Sequence, residues 1–132
     1  MARTETRSSG IVIDKNNVAL MHRIKDGYEY WVFPGGGIEE NETIEDALSR
    51  EMVEELDIEV KQKRFLFKIE NASRSEYYFL ITEYEGQPRI GGPELERMNK
   101  ENQYILIWFP VEQLNSINLF PGKAKEMVSK LL

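Results

Sequence analysis

Ser9 to Ile13 has the character of a strand, and Val18 to Arg23 alternates apolar and polar positions well enough to be its hairpin partner. Between them Asp14-Lys15-Asn16-Asn17 supplies turn residues. Lys25-Asp26-Gly27 turns the chain into Tyr28 to Phe33, a short aromatic strand, and Pro34-Gly35-Gly36-Gly37 then breaks any regular element. Over Thr43 to Leu56 the spacing becomes helical. Two extended segments follow, Ile58 to Ile69 and Tyr77 to Tyr84. Glu85 to Gln103 is polar, of a length that in compact domains belongs to functional or mobile loops. Tyr104 to Phe109 suits a buried strand, Pro110 is placed to open a short helix over Val111 to Leu114, and Pro121 to Leu132 is spaced as a closing amphipathic helix. Three strands, a helix, three strands and a helix predict an α+β or α/β/α layered domain with a mixed sheet.

The Thr43–Leu56 helix carries the chemistry. At ~100° per residue with Ile44 at zero, Ala47, Leu48 and Met52 fall within about 80° on either side and form the stripe that packs on a sheet. Glu54, Glu51 and Glu55 fall at about 280°, 340° and 20°, on the stripe itself, while Glu45, Asp46 and Ser49 take the solvent side. A Glu-rich helix is ordinarily a solvated face. Here the acids share the core-facing azimuth and crowd the last turn, where the helix dipole disfavours each by ~0.3–1 kcal/mol. Glu51 and Glu55 add an i,i+4 repulsion. A compensating cation is therefore expected. Arg50 is the cation near in sequence, and the wheel points it elsewhere. A hard divalent ion held by oxygen ligands, Mg²⁺ or Mn²⁺, fits the cluster better.

Composition narrows the choices. The 132 residues fit one domain, 1–132, and 41% apolar content with six Phe, six Tyr and two Trp is enough to close a core. Without Cys, disulfide frameworks, thiolate catalysis and Cys-ligated zinc are excluded. One imidazole, His22, excludes multi-His metal sites. The opening MARTETRSSG has no apolar core of signal-peptide length and no later run nears a membrane span, so a soluble cytoplasmic protein without membrane contact is expected. A net charge of −6 argues against long nucleic acid as partner but not against a small phosphorylated ligand, whose charge a metal ion can offset. By base rate a homodimer remains open.

The triple glycine lies just before the helix, where backbone groups can approach a ligand closely. No Gly-Lys-Ser/Thr follows, so it is not a P-loop. From Gly36 onward Gly36, Glu42, Arg50, Glu51, Met52, Glu54, Glu55 and Ile58 match the pattern G-x5-E-x7-R-E-U-x-E-E-x-G-U, with Asp57 in place of the last glycine. This resembles the Nudix box, and Trp108 to Pro110 also follows in the usual place for that family. The resemblance implies a Nudix-type α/β/α sandwich with a mixed sheet. It also implies Mg²⁺- or Mn²⁺-dependent hydrolysis of the pyrophosphate bond in a nucleoside diphosphate linked to another moiety. That substrate class includes nucleoside triphosphates, oxidised nucleotides, ADP-ribose, nucleotide sugars and dinucleoside polyphosphates. Carried over, Glu51, Glu54 and Glu55 look like metal-binding carboxylates, and Gly35 like the residue whose carbonyl joins them. Gly36 and Gly37 look placed to let the pyrophosphate approach. Glu42 and Arg50 look like the pair that braces the loop and orients Glu51. Asp57 occupies a left-handed position better suited to Gly, at a small expected stability cost.

Glu51 is the first candidate for general base and Glu101 the second, with Glu94 and Glu96 as competitors in the same polar loop; each loop acid is otherwise a surface charge. Arg23 resembles a family position that contacts substrate phosphate, its alternative being an exposed strand-end cation. His22 lies on the opposite strand face and is expected to be structural or solvent-facing. Tyr28, Tyr30, Trp31, Tyr77 and Tyr78 are expected to pack rather than to stack on a base. The rival to an enzyme is a Nudix-like module that binds a nucleotide and regulates without turnover; the intact Arg50-Glu51 and Glu54-Glu55 argue against it.

Overall fold

The computed structural model describes residues 5–71 and 73–131, apart from the side chains of Asn71, Pro93 and Glu94. Its strands divide between two mixed sheets. The first contains β1 (Glu5–Ile11), β5 (Gly35–Gly37), β6 (Glu59–Asn71) and β7 (Arg74–Glu85), in the order β5-β1-β7-β6. The second contains β2 (Ile13–Asp14), β3 (Asn17–Lys25), β4 (Tyr28–Val32), β8 (Asn102–Pro110) and β9 (Leu119–Phe120), with β8 along β3 and β9 beside β4. β1 with β7 and β4 with β9 run parallel, and the remaining pairs are antiparallel.

Both expected turns have the chemistry that tight hairpins require. Lys15 and Asn16 adopt φ of 50° and 67° between β2 and β3, and Asp26 and Gly27 adopt 49° and 85° between β3 and β4. Positive φ at both central residues matches the strand twist, which favours Asn, Asp and Gly there.

Helix α1 (Ile44–Leu56) begins at Thr43, whose hydroxyl accepts the Asp46 N–H at 3.0 Å. It ends at Asp57, which takes the left-handed conformation at φ 56°. The Asp57 and Ile58 N–H groups return to the carbonyls of Val53 and Met52, closing the helix end. Leu48, Met52 and Leu56 are buried with Val12, Ala19, Met21, Ile58, Phe79 and Ile81, and Ala47 of the same helix is buried too. A second apolar cluster joins Ile11, Val18, Leu20, Phe33, Phe67 and Tyr78 to Leu114 and to Ala124 and Val128 of the closing helix α3 (Gly122–Leu131). The two helices thus cover separate apolar layers, and α1 presents its acidic turn at the edge of its own.

Two regions differ from the pattern-based expectation. The triple glycine does not break regular structure: it is the edge strand β5, with Gly35, Gly36 and Gly37 opposite Ser9, Ser8 and Arg7. Backbone pairing requires no side chain, and a Cβ at Gly35 would collide with Ser8 and Ser9 of the neighbouring strand. The polar segment 85–103 holds a short helix, α2 (Gly92–Arg97), and is tied to the end of α1. The N–H groups of Arg89 and Gly91 donate to the carbonyls of Leu56 and Glu55 at 2.9 and 3.0 Å. A Cβ on Gly91 would overlap the Glu54 carbonyl. The segment therefore satisfies acceptors that the last helical turn leaves unpaired.

Candidate active site

Arg50 organises the acidic turn. Its Nε and Nη2 donate to the two oxygens of Glu42, 2.8 and 2.9 Å away, and Nη2 also donates to the Gly37 carbonyl at 2.9 Å. Its Nη1 donates to Glu51 at 2.7 Å and to Glu54 at 3.3 Å. The wheel argument that pointed Arg50 away from the acids is overturned here. Arg50 and Glu54 are i,i+4 neighbours, and the long guanidinium reaches sideways to Glu51. Part of the compensating charge that the wheel assigned to a metal thus comes from this side chain.

The electrostatics follow from these contacts. The Arg50 guanidinium holds the Glu42 carboxyl down to about 2, and its bond to Glu42 pushes its own pKa up. Glu51 is 8% exposed. Burial holds its carboxyl above the usual carboxylate range, against the opposing pull of Arg50.

The glycines make room for the carboxylates. A Cβ on Gly36 would stand 2.5 Å from the Glu51 carboxyl carbon, so only glycine permits that carboxylate to lie against β5. The Gly35 N–H donates to Glu55 at 3.2 Å. Among the described residues no three acids or imidazoles converge as a finished metal cage. The donor set is still of the kind Mg²⁺ and Mn²⁺ take, oxygen only, on one turn of one helix beside a strand that has given up its side chains. The residues fit a hard divalent ion in the chemistry of their donors.

A cavity of about 700 Å³ opens from this corner. Gly35 and Glu55 line it next to the acidic turn. Arg7, Ser9, Arg74, Glu76 and Tyr78 belong to its wall on the first sheet, and Arg23, Lys25, Tyr30 and Tyr104 to its wall on the second. Arg23 is held in place by Asn102 at 2.5 Å and lies 3.8 Å from the Tyr104 ring centre. A volume of this order is that of a small-molecule site.

The NUDIX domain family matches residues 4–131. The chain belongs to the Nudix family. It is similar to the 8-oxo-dGTP diphosphatase of Buchnera aphidicola subsp. Schizaphis graminum, at 29% identity over 92% of this chain and 88% of that protein. The RNA pyrophosphohydrolase of Haemophilus influenzae strain PittEE is 26% identical over 92% of this chain and 74% of its own length. In fold it resembles a structure described for MutT from Aliivibrio salmonicida and Vibrio cholerae, with TM-score 0.78, 24% identity and coverage of 98% and 100%. It is a MutT-like Nudix hydrolase, an enzyme acting on phosphoric anhydrides, with the α/β fold of that family. No helix among the described residues is long and apolar enough to cross a membrane.

Several Nudix-box residues and their expected neighbours come together: Glu42, Arg50, Glu51, Glu54, Gly36 and Gly37 form one connected cluster, and Gly35 and Glu55 link it to the cavity that also holds Arg23. Glu101 lies outside that cluster. It is exposed between α2 and β8, its carbonyl accepting the Asp26 N–H and its own N–H bonded to Asn99. Glu96 is exposed on α2, and the Glu94 side chain lies outside the described residues. His22 stacks on Trp31 and bonds Glu29 at 2.6 Å, on a face of β3 away from the acids. Tyr30 and Tyr78 line the cavity, whereas Tyr28 is exposed. Pattern reading missed Arg7, Lys25, Arg74, Glu76 and Tyr104. The available signal was Arg74, Glu76 and Tyr78 at every second position of one strand, polar groups on what becomes a buried face.

Proposed function

We propose that this enzyme hydrolyses the pyrophosphate bond of a nucleoside diphosphate linked to a further group, with nucleoside triphosphates and their oxidised forms as the first class to test. The relatives named for 8-oxo-dGTP and for RNA pyrophosphate share one task, cutting a phosphoric anhydride on a nucleotide. Glu51, Glu54 and Glu55 would hold Mg²⁺ or Mn²⁺, with the Gly35 carbonyl joining them. When bound, such an ion neutralises pyrophosphate oxygens and lowers the pKa of a coordinated water. The protein does the rest. Arg50 holds Glu51 and Glu54 and braces them against the loop through Glu42. Glu51, buried and with a raised proton affinity, is the proton acceptor. Arg23, held by Asn102 and seated on Tyr104, meets phosphate oxygens in the cavity.

The observation that carries this reading is the Arg50 fork, which holds two acids of one helical turn against a glycine strand, with Gly35 and Glu55 leading from that turn into a cavity of about 700 Å³. The test is turnover of a nucleotide panel with Mg²⁺ or Mn²⁺, scored for phosphate, pyrophosphate or mononucleotide. Glu54→Gln and Glu55→Gln are each expected to cut the rate at least ~100-fold, as loss of a metal ligand or its support does. Unchanged rates in both variants would remove the metal assignment.

A further inference from the structure

We propose that Gly91 and Asn102 are positioning residues, and that the segment between them is a strap holding the acidic turn and Arg23 in one arrangement. The inference rests on the metal-dependent hydrolase reading above and extends it to residues outside the acidic turn and the cavity wall.

The last turn of α1 is its least self-sufficient part. Its final carbonyls have no partner within the helix, and Glu54 and Glu55 stand where the dipole opposes negative charge. Arg50 holds the side chains of Glu51 and Glu54. The backbone of the turn is held by the strap. The Gly91 N–H donates to the Glu55 carbonyl at 3.0 Å, and the Arg89 N–H to the Leu56 carbonyl at 2.9 Å. The Glu54 carbonyl lies so close to Gly91 that an added Cβ would overlap its oxygen, so only glycine permits this approach. Glu55 is thus fixed twice, its carboxylate by the Gly35 N–H and its carbonyl by the Gly91 N–H.

From Gly91 the hydrogen bonds continue along the strap. The Gly91 carbonyl accepts the Leu95 N–H at 3.0 Å, and the Leu95 carbonyl accepts the Met98 N–H at 3.2 Å, which closes α2. Asn99 and Asn102 exchange backbone bonds of 3.0 and 3.1 Å. Asn102 Nδ2 donates to the Arg97 carbonyl at 3.3 Å, and Asn102 Oδ1 accepts the Arg23 guanidinium at 2.5 Å. An amide does both because it carries a donor and an acceptor on one rigid plane. The Gln103 carbonyl, 3.3 Å from Arg23 Nε, and the Tyr104 ring complete the seat of Arg23.

Glu55 and Arg23 both line the cavity. A pyrophosphate held beside one must meet the other, so turnover depends on their spacing, where an error of ~1 Å can cost about 100-fold. The competing account is that the segment only caps α1 and that Asn102 only steadies Arg23. Each contact then acts locally, and a change at Asn102 leaves metal binding as it was.

The test reads one end of the strap from the other. Calorimetry with Mn²⁺ alone compares wild type, Asn102→Ala, Gly91→Ala and the double variant, each well below its melting temperature. Asn102→Ala is expected to weaken Mn²⁺ binding by roughly 3–30-fold, the range of coupling carried through a packed network. Gly91→Ala is expected to weaken it as well. Once Gly91→Ala has detached the strap, adding Asn102→Ala should change Mn²⁺ affinity by no more than about 2-fold. Mn²⁺ affinity unaltered by Asn102→Ala overturns the proposal, and so does an equal effect in both backgrounds, the signature of independent losses. If Asn102→Ala fails to fold, Asn102→Asp decides, since it keeps an oxygen for Arg23 and gives up the donor to the Arg97 carbonyl. Weakened Mn²⁺ binding in that variant supports the proposal and unaltered binding overturns it. Wild type that binds no Mn²⁺ overturns the metal reading and the strap with it. Wild type that binds Mn²⁺ and turns over nucleotides, with no response to Asn102→Ala, overturns the strap alone.

Discussion

Arg50 is the residue on which the acidic turn depends. Its planar fork reaches Glu42, Glu51, Glu54 and the Gly37 carbonyl at once, a task for which a lysine has neither the breadth nor the fixed geometry. Arg50→Lys should therefore lower stability by about 2 kcal/mol, the scale of losing hydrogen bonds to charged partners, and reduce turnover more than it raises KM. Thermal melts and steady-state kinetics check both; a neutral effect would show that the fork is incidental. The identities of these residues were legible in the chain, because the box spacing is specific. Arg50's true direction was not, since a helical wheel treats a side chain as a point on a circle and ignores the reach of a guanidinium. Glu76 and Arg74 were silent for another reason: their place on the cavity wall depends on what stands opposite them.

At the scale of elements, the loop before α1 and the turn after it each admit a test. Glu42 ties the loop to the helix, and its carboxyl lies at about 2 in the folded chain against an ordinary 4.5. A depressed folded value contributes stability that is present above pH 4.5 and is lost as the pH falls from there towards 2. Acid unfolding of wild type and Glu42→Gln should then show wild type the more stable at neutral pH, with the gap closing across that window. A gap independent of pH would deny the Arg50–Glu42 pair its role. At the other end, Asp57 holds the left-handed cap and pairs with the exposed Arg89 at 2.7 Å. Asp57→Gly relieves the backbone cost and gives up a surface ion pair worth little. Denaturant titration should show a gain of ~0.5–1 kcal/mol, larger in high salt, where the lost pair is screened in the parent. A loss exceeding 1 kcal/mol would mean that the pair matters more than the turn.

Helix α1 was legible almost to its ends, since Thr43 and the left-handed position at Asp57 frame an unbroken apolar stripe. The glycine strand was not. Gly35 to Gly37 carries no pattern of its own, and its strand character comes entirely from β1 alongside it. The polar segment was misjudged in a similar way: its order derives from carbonyls at the end of α1 that Arg89 and Gly91 satisfy.

For the molecule as a whole, the layered α/β class followed from element order, but the division into two sheets did not. The parallel pairing of β1 with β7 joins segments separated by about half of the chain, and no local turn signals it. The cavity inherits that invisibility. Its walls come from β1, β3, β4, β5, β7, β8, β9 and α1, so only the assembled fold shows that Arg23, Glu76 and Glu55 share one space. The most direct test of the central claim is a calorimetric titration of the purified protein with Mn²⁺ at neutral pH, beside Glu54→Gln and Glu55→Gln. Saturable binding in the parent, weakened at least ~10-fold in both variants, is the predicted result. Binding that is absent from the parent, or equal in all three proteins, would contradict it.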